Sequence, residues 1–378
     1  MTKGIMETKI NDNIHTEEFF VNLGPQHPST HGVLYLEAKL DGEIIVDCAT
    51  HIGYLHRSME KIAENRTYTQ FIPFTDRLDY VASMNNNLAY VMAVEKLMKT
   101  EITERAKYIR VIIAELNRVA SHLVGIGTFV QDLGAFATPL FYAFREREKI
   151  VEIFDEVCGN RLTYNYMRAG GVQFDLPAGI DAKIKEFVGY MRTRTDELEG
   201  LFTKNVIFLA RTKGIGVLPK DMAINYSVTG PNLRGSGVKW DLRKDEPYLV
   251  YDKFNFDVPT GDNGDAWDRY KVRIEEIRQI LRIIEQAIGG IPEGDPTVKV
   301  GRILRPEAGE AYFRAENPRG ELGFYIVSDG SPYPCRLKIR GPSFSNLAVL
   351  TPLVKGVKVA DLICILGSLD IVMGEIDR

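Results

Sequence analysis

Cysteine is scarce in this sequence of 378 residues, which contains four: Cys48, Cys158, Cys335 and Cys364. They lie far apart, and no two form a CxxC pair. A zinc or iron–sulfur site needs several thiolates close together, so this chain is not expected to build one by itself. Disulfides are not expected in a cytoplasmic chain either. We therefore predict four small, buried cysteine side chains.

The sequence also lacks a surplus of basic residues and a long apolar run. The net charge is −4, with 47 basic and 51 acidic residues, which gives no sign of a nucleic-acid partner. The first 20 residues have no apolar core of signal-peptide length, so a cytoplasmic location is expected. Residues 119–144 are the most apolar stretch, but glycines, a proline and Asp132 interrupt them. We interpret this stretch as two buried helices with a break.

The apolar patterns of the sequence predict an α+β fold that is predominantly α, with a helical bundle core and small β elements at both ends. Alternating apolar residues from Leu34 to Leu40, followed by Asp41-Gly42, predict a β-hairpin. Apolar stripes at helical spacing then indicate helices that bury their stripes against each other. These stripes are Leu78, Val81, Leu88 and Met92; Ile109, Ile112, Leu116, Val119 and Leu123; and Tyr270, Ile274, Ile277, Leu281, Ile284 and Ile288.

The expected organisation is a flexible N-terminal segment, 1–17, and a single domain, 18–378. Within the domain we expect a β lobe at 18–54, a helical bundle at 55–300 and a glycine-rich irregular cover at 203–266. Residues 301–378 are expected to form a β-hairpin around an Asp-Gly turn and a terminal helix over 359–373. Thr138 and Pro139 are a typical N-cap and first helical residue for the helix that follows them.

The loop at 24–32, with sequence GPQHPSTHG, holds two of the six histidines. His27 and His31 are four residues apart, a spacing that two metal ligands on a helix would have. The prolines oppose a helix, and no acidic residue occurs in the loop before Glu37. A rigid loop that presents an imidazole to a ligand is the favoured alternative, and no metal site is expected.

Asp132 is the only charged residue between Arg118 and Arg145. A carboxylate in such an apolar stretch is costly to bury unless it is paired. It either caps a helix near Gly134 or pairs with a histidine or arginine at a functional site. No dinucleotide fingerprint, P-loop, GxSxG or HExxH motif is found, so composition and spacing do not identify a reaction.

Several long blocks nevertheless resemble one known family. They include GPQHPSTHGVLYLEAKLDGE, HIGYLHRSMEKIAENRTYTQ, TDRLDYVASMNNNLAYVMAVEKL, RVIIAELNRVASHLVGIGTFVQDLGA, RGELGFYIVSDG and SLDIVMGEIDR. From about residue 18 to the last residue, the chain resembles the D subunit of the proton-translocating NADH:quinone oxidoreductase, respiratory complex I. The resemblance implies a hydrogenase-large-subunit-like fold, because this family is related to the large subunit of nickel–iron hydrogenases.

The hydrogenase relatives bind their metals through two CxxC motifs, whose cysteine positions would fall here on Asp79, Ala82, Val372 and Glu375. The position of the terminal histidine ligand would fall on Arg378. Nickel and iron need soft thiolate ligands at such a centre, so the resemblance implies that the metal centre is lost.

In the family the vacated cavity holds a quinone headgroup. By motif, His31 and Tyr80 resemble the residues that hydrogen-bond the two quinone carbonyls, and Asp132 resembles the carboxylate that pairs with His31. His27 is assigned to loop structure. The resemblance implies no cofactor in this chain, and electrons that come from a 4Fe-4S cluster on the neighbouring B subunit.

The implied partners are the B and C subunits of complex I, its membrane-embedded H subunit and quinone, with NAD bound by other subunits. The implied location is peripheral, on the cytoplasmic side of the cell membrane. The implied activity is quinone reduction coupled to proton translocation. A non-catalytic scaffold subunit and a hydrogenase-type subunit are the alternatives.

Overall fold

The computed structural model describes residues 18–27, 30, 32–134 and 138–378 of the chain. The predicted flexible segment 1–17 and the candidate ligand residue His31 therefore lie outside the described residues. Long helices form the core of the described chain and small antiparallel sheets flank it, so the α+β, predominantly α class is confirmed.

The N-terminal sheet contains the predicted hairpin and one further strand. Its strands are β1 (Glu18–Leu23), β2 (Tyr35–Asp41) and β3 (Ile44–His51), paired antiparallel in the order β1-β2-β3. Gly42 adopts the left-handed conformation that the tight turn between β2 and β3 requires, with φ of 61°. Leu34, Leu36 and Ala38 are fully buried, as their alternation predicts.

Five long helices contribute most of the main hydrophobic core. They are α3 (Ser83–Met98), α4 (Glu104–Asp132), α5 (Thr138–Cys158), α6 (Ile180–Phe202) and α11 (Ala266–Gly290). The predicted stripes of α4 and α11 are buried along their whole length. Shorter helices precede them, α1 (Met59–Ala63) and α2 (Tyr68–Thr75), and a small hairpin joins β4 (Met167–Arg168) to β5 (Gly171–Val172).

The first predicted stripe is wrong in one respect, because α3 begins at Ser83 and leaves Leu78 and Val81 outside the helix. The carboxylate of Asp79 accepts a hydrogen bond from the Val81 N–H at 3.1 Å, and the Asp79 carbonyl accepts one from the Ala82 N–H at 3.0 Å. These local bonds form a turn that competes with a helix.

The expected break inside residues 119–144 is confirmed, because α4 ends at Asp132 and α5 begins at Thr138. Thr138 is thus the first residue of the helix rather than its N-cap. None of the helices in the described ranges is both long and apolar enough to cross a membrane.

Residues 203–266, the segment expected to form an irregular cover, contain short helical pieces joined by turns and loops. These are α7 (Val206–Thr212), α8 (Lys220–Asn225), α9 (Pro231–Gly235), α10 (Leu242–Asp245) and a 3-10 turn (Tyr251–Lys253). Arg234 of α9 donates from Nε to Glu276 Oε1 of α11 at 2.6 Å, and both side chains are buried. The segment is therefore tied to the bundle by charged groups as well as by apolar contacts.

The C-terminal sheet contains β6 (Gly309–Asn317), β7 (Gly320–Ser328) and β8 (Arg336–Arg340), in the order β6-β7-β8. Four helices follow: α12 (Pro342–Leu347), α13 (Leu350–Val354), α14 (Val359–Leu369) and α15 (Met373–Asp377). The single terminal helix predicted over 359–373 is wrong, because Asp370 takes a left-handed conformation, φ 53°, between α14 and α15.

The cysteine prediction is half wrong. All four thiols are free, but only Cys48 and Cys364 are buried, whereas Cys158 is half-buried and Cys335 is exposed. Cys335 lies just before β8, at the edge of the alternating pattern that suggested its burial.

Candidate functional site

A cavity of about 310 Å³ lies where five separate parts of the chain meet. This volume is at the lower end of the range for small-molecule sites. Its walls are Tyr80 and Val81 before α3; Val124, Thr128, Gln131 and Asp132 of α4; Leu140 of α5; Arg319 of the β6–β7 turn; and Asp370, Ile371 and Val372 between α14 and α15. Two of the three sequence-predicted site residues, Tyr80 and Asp132, thus share one cavity.

Tyr80 stands at the apex of the turn that Asp79 holds, and 39% of its surface is exposed. No described residue forms a hydrogen bond with its phenol oxygen, which leaves the hydroxyl free for a ligand. Partial burial raises the pKa of the Tyr80 phenol, and the neighbouring charge of Asp79 adds to this effect. The phenol is therefore protonated at neutral pH and can donate a hydrogen bond.

Asp132 is the last residue of α4 and is half-buried, not fully buried as its apolar surroundings suggested. Its position at a helix C-terminus rules out the N-cap role. A Cβ added at Gly367 of α14 would lie 3.4 Å from Asp132 Oδ2, so the carboxylate lies near that helix.

The histidine loop lies close to the same region. The Thr30 hydroxyl donates at 2.8 Å to the carbonyl of His27, and the backbones of His27 and Gly32 form a bridge that closes the loop. A Cβ added at Gly32 would lie 2.9 Å from Met373 Cγ, next to the cavity residue Val372. The residue that follows His31 therefore lies against Met373, one position beyond the cavity residue Val372.

Arg319 is the cation of the cavity wall, and only 2% of it is exposed. Its Nη1 donates to Asp79 Oδ2 at 2.7 Å and to Ser121 Oγ at 2.8 Å. Its Nε and Nη2 donate to the carbonyl and Oδ1 of Asp370 at 2.9 and 3.0 Å. One guanidinium therefore ties three chain segments together, and the two carboxylates keep its pKa above the ordinary value despite burial.

Glu375 is a fully buried carboxyl behind this wall. Its Oε1 accepts from the Ser343 N–H at 2.5 Å, while Oε2 has no hydrogen-bond partner among the described residues. Burial and the charge of Asp79 raise the pKa of Glu375 to about 7. The carboxyl is thus partly protonated at neutral pH.

The residues at the vacated cysteine positions do not fit a nickel–iron centre. Asp79 is bonded to Arg319, Ala82 and Val372 are apolar, and Glu375 accepts from a backbone amide. Soft thiolates are missing from all four positions. In the part of the chain that the structure describes, no group of three His, Cys, Asp or Glu side chains is arranged to hold a metal ion.

A second cavity of about 410 Å³ lies near the C-terminus, beside His56, Phe344 and Arg378. Glu60 in its wall pairs with Lys338 at 3.0 Å, and these charges satisfy each other at the surface. The smaller cavity is the candidate ligand site, because it has a free hydroxyl and a buried cation together.

The sequence did not single out Arg319 and Asp370, which line the cavity, or Ser121, which bonds Arg319. Asp370 carries the same signal that singled out Asp132, a lone acidic residue within an apolar run. Arg319 follows Asn317-Pro318 in what reads as an ordinary exposed turn, so no local signal marks its burial.

Comparison with known proteins agrees with the resemblance found in the sequence. The family model described as "Respiratory-chain NADH dehydrogenase, 49 Kd subunit" matches residues 132–306 and 298–378. A relative from Dehalococcoides mccartyi (strain 195), named as the D subunit of NADH-quinone oxidoreductase, is 57% identical over 97% of this chain and 100% of its own length. Relatives of the same name from Bacillus mycoides and Bacillus anthracis are 56% and 55% identical, each over 96% of this chain and 100% of their own length.

These matches extend over nearly the whole chain, including both segments that form the wall around Arg319. The chain belongs to the family of the 49 kDa subunit of the respiratory-chain NADH dehydrogenase, whose members are also named as the D subunit of NADH-quinone oxidoreductase, and is a subunit of that oxidoreductase complex.

Proposed function

We propose that this chain is the quinone-binding subunit of a proton-translocating NADH:quinone oxidoreductase, and that the Tyr80 cavity holds the quinone headgroup. The observation that supports this most is a free, protonated phenol at the wall of a small cavity. The other walls include apolar side chains of Val124, Leu140 and Ile371, which suit a planar ring.

The proposed chemistry of quinone reduction follows from the Tyr80 hydroxyl as a hydrogen-bond donor. The Tyr80 phenol donates a hydrogen bond to one carbonyl oxygen of the quinone, and this bond strengthens as the oxygen gains negative charge. The same hydroxyl can pass its proton to that oxygen. From the motif resemblance, we propose that His31 donates a hydrogen bond to the second quinone carbonyl and that Asp132 orients the His31 imidazole. The position of Asp132 in the cavity wall supports this part of the proposal.

Electrons must reach the headgroup from outside this chain. We assign their source to a 4Fe-4S cluster of the B subunit, with NAD bound by other subunits and no cofactor in this chain. The B, C and H subunits of the complex are the proposed neighbours, at a peripheral position on the cytoplasmic side of the membrane. Quinone reduction at this site is proposed to drive proton translocation.

Tyr80→Phe in the assembled complex tests the proposal. The substitution removes only the hydroxyl, so we expect quinone reduction to fall about 10- to 100-fold, because a hydrogen bond to a developing charge is lost. The measurement is donor-dependent quinone reduction per assembled complex, with Tyr226→Phe as control, since Tyr226 is comparably exposed, at 42%, and lies outside the cavity. A wild-type rate for Tyr80→Phe would favour the scaffold alternative.

A further inference from the structure

The position of the Tyr80 phenol depends on its backbone. Because no described residue bonds the hydroxyl, the turn that carries Tyr80 is the hydrogen-bonded part of the chain that positions this side chain. The carboxylate and carbonyl of Asp79 hold that turn: Oδ1 accepts from the Val81 N–H, and the carbonyl accepts from the Ala82 N–H and, at 2.8 Å, from Asn86 Nδ2.

The second oxygen of the same carboxylate is fixed by Arg319. The Nη1–Oδ2 distance is 2.7 Å, and both side chains are almost completely buried. Asp79 therefore uses its two oxygens for two different purposes, one for the turn and one for the cation. Any rotation of the carboxylate that loosens one bond also loosens the other.

The guanidinium itself cannot move freely. Its plane is held by Ser121 of α4 on one side and by the carbonyl and carboxylate of Asp370 on the other. Four of its five N–H groups are used in these bonds and in the bond to Asp79. Because the fork of a guanidinium is planar and rigid, these contacts fix its orientation and not only its charge.

We propose that Arg319 is a positioning residue of the quinone site, which sets the location of the Tyr80 hydroxyl through Asp79. This inference rests on the proposed function, since it concerns the same hydroxyl. Arg319 links the segment that carries Tyr80 to the segment 370–372, and both segments line the cavity. A change at Arg319 is therefore expected to move the Tyr80 turn relative to segment 370–372.

Arg319→Lys separates orientation from charge. Lysine keeps a cation between Asp79 and Asp370, which avoids leaving two buried carboxylates unpaired. Its ammonium is a compact group on a flexible stem and cannot reproduce the planar fork. We expect the turn of Tyr80 to lose its fixed position, and a misplacement of about 1 Å can cost on the order of 100-fold in rate.

The test compares Arg319→Lys in two backgrounds, wild type and Tyr80→Phe. Both kcat and KM for quinone reduction are measured per assembled complex. If Arg319 acts through the Tyr80 hydroxyl, Arg319→Lys lowers kcat/KM roughly 10- to 100-fold in wild type. In the Tyr80→Phe background, where that hydroxyl is missing, it costs no more than about twofold. Equal factors in the two backgrounds would overturn the inference.

Arg110→Lys is the matched control. Arg110 is equally buried and forms a fork with Glu95 at 2.8 and 2.7 Å, but neither residue lines the cavity. Arg110→Lys is expected to lower kcat/KM only through a structural change. Its effect on kcat/KM is therefore expected to be the same with and without the Tyr80 hydroxyl.

The outcomes separate the two proposals. A Tyr80→Phe complex with wild-type kinetics contradicts the proposed function, whatever Arg319→Lys does. A slow Tyr80→Phe complex combined with a normal Arg319→Lys complex contradicts only the role of Arg319. If Arg319→Lys does not assemble, Asp79→Asn enters the same comparison, because an amide has one acceptor oxygen for the two bonds that the Asp79 carboxylate now accepts. Its cost must likewise disappear in the Tyr80→Phe background.

Discussion

At the scale of single residues, Asp76 shows how burial changes a titration near the site. It lies four residues before Tyr80, and 1% of its surface is exposed. Its Oδ1 accepts from the Asn165 N–H at 3.4 Å, while Oδ2 has no hydrogen-bond partner among the described residues. Burial raises the pKa of Asp76 to about 7, although Asn165, Asn87 and the charge of Arg77 oppose the shift.

A raised carboxyl pKa makes the folded state bind a proton that the unfolded state has released. The stabilising effect is full below the ordinary pKa of about 4 and is lost as the pH rises through about 7. Asp76→Asn does not titrate, so we expect the wild type to become less stable relative to this variant as the pH increases. Each pKa unit corresponds to about 1.4 kcal/mol, or about tenfold in a local opening equilibrium.

Hydrogen–deuterium exchange of residues 68–98 in the assembled complex measures this effect. Comparing variant and wild type at the same pH cancels the intrinsic pH dependence of exchange. The ratio of wild-type to variant exchange rates is expected to rise between pH 5 and pH 8. A ratio that does not change over this range contradicts the assignment to Asp76.

The sequence identified Tyr80 and Asp132 through motif resemblance, and the structure brings both to one cavity. The sequence did not identify Arg319, because the residues that Arg319 contacts are distant along the chain: Asp79 is 240 positions away. A single sequence shows local periodicity but not which distant turn delivers a cation. His31 stays a prediction, since it lies outside the described residues.

At the scale of elements, α4 supplies four of the cavity residues. Val124, Thr128, Gln131 and Asp132 are spaced by four, three and one positions, which places them on one face of the helix. Gly125 is next to this face and permits the close approach of Asp370. A Cβ at Gly125 would lie 2.9 Å from Cγ, Oδ1 and Oδ2 of Asp370.

Gly125→Ala is therefore expected to displace the Asp370 carboxylate from Arg319 and to lower quinone reduction. The overpacking costs about 1–3 kcal/mol, which exceeds the gain in helix propensity. Gly189→Ala on the exposed face of α6 is the control, because a Cβ there meets nothing within 4 Å. It is expected to stabilise its helix by about 0.5–1 kcal/mol and to leave activity unchanged.

Assays of quinone reduction and thermal unfolding on both assembled complexes distinguish the two glycines. The expectation for Gly125→Ala is contradicted if this complex matches Gly189→Ala in both measurements.

The elements that local patterns define were predicted well. The β2–β3 hairpin and the stripes of α4 and α11 need only periodicity and a turn. The errors at the start of α3 and the end of α14 have one common cause. At both places an apolar pattern continues, but an aspartate, Asp79 or Asp370, leaves the helix and bonds to Arg319. The local turn bonds of Asp79 and the ion pairs of both aspartates with Arg319 together override the helical preference of the apolar pattern there.

At the scale of the whole molecule, buried charges connect the bundle to the later segments. Arg234 pairs with Glu276 of α11 and Glu316 of β6, and Glu276 also bonds His122 of α4 at 2.9 Å. Burial lowers the pKa of His122, which favours the uncharged form of the imidazole. Breaking such a pair leaves a buried charge without compensation, so these residues fix how α4, α9, α11 and β6 pack together. A net charge of −4 gives no hint of this network.

Photolabelling of the intact complex tests most directly whether the quinone headgroup occupies the Tyr80 cavity. The probe is a quinone analogue with a photoreactive group on its ring, used with and without an excess of unmodified quinone. We predict a competable label on this chain at residues 80–81, 124–132 or 370–372. Competable label on neighbouring subunits alone, with none at these positions, would contradict a quinone site in this chain.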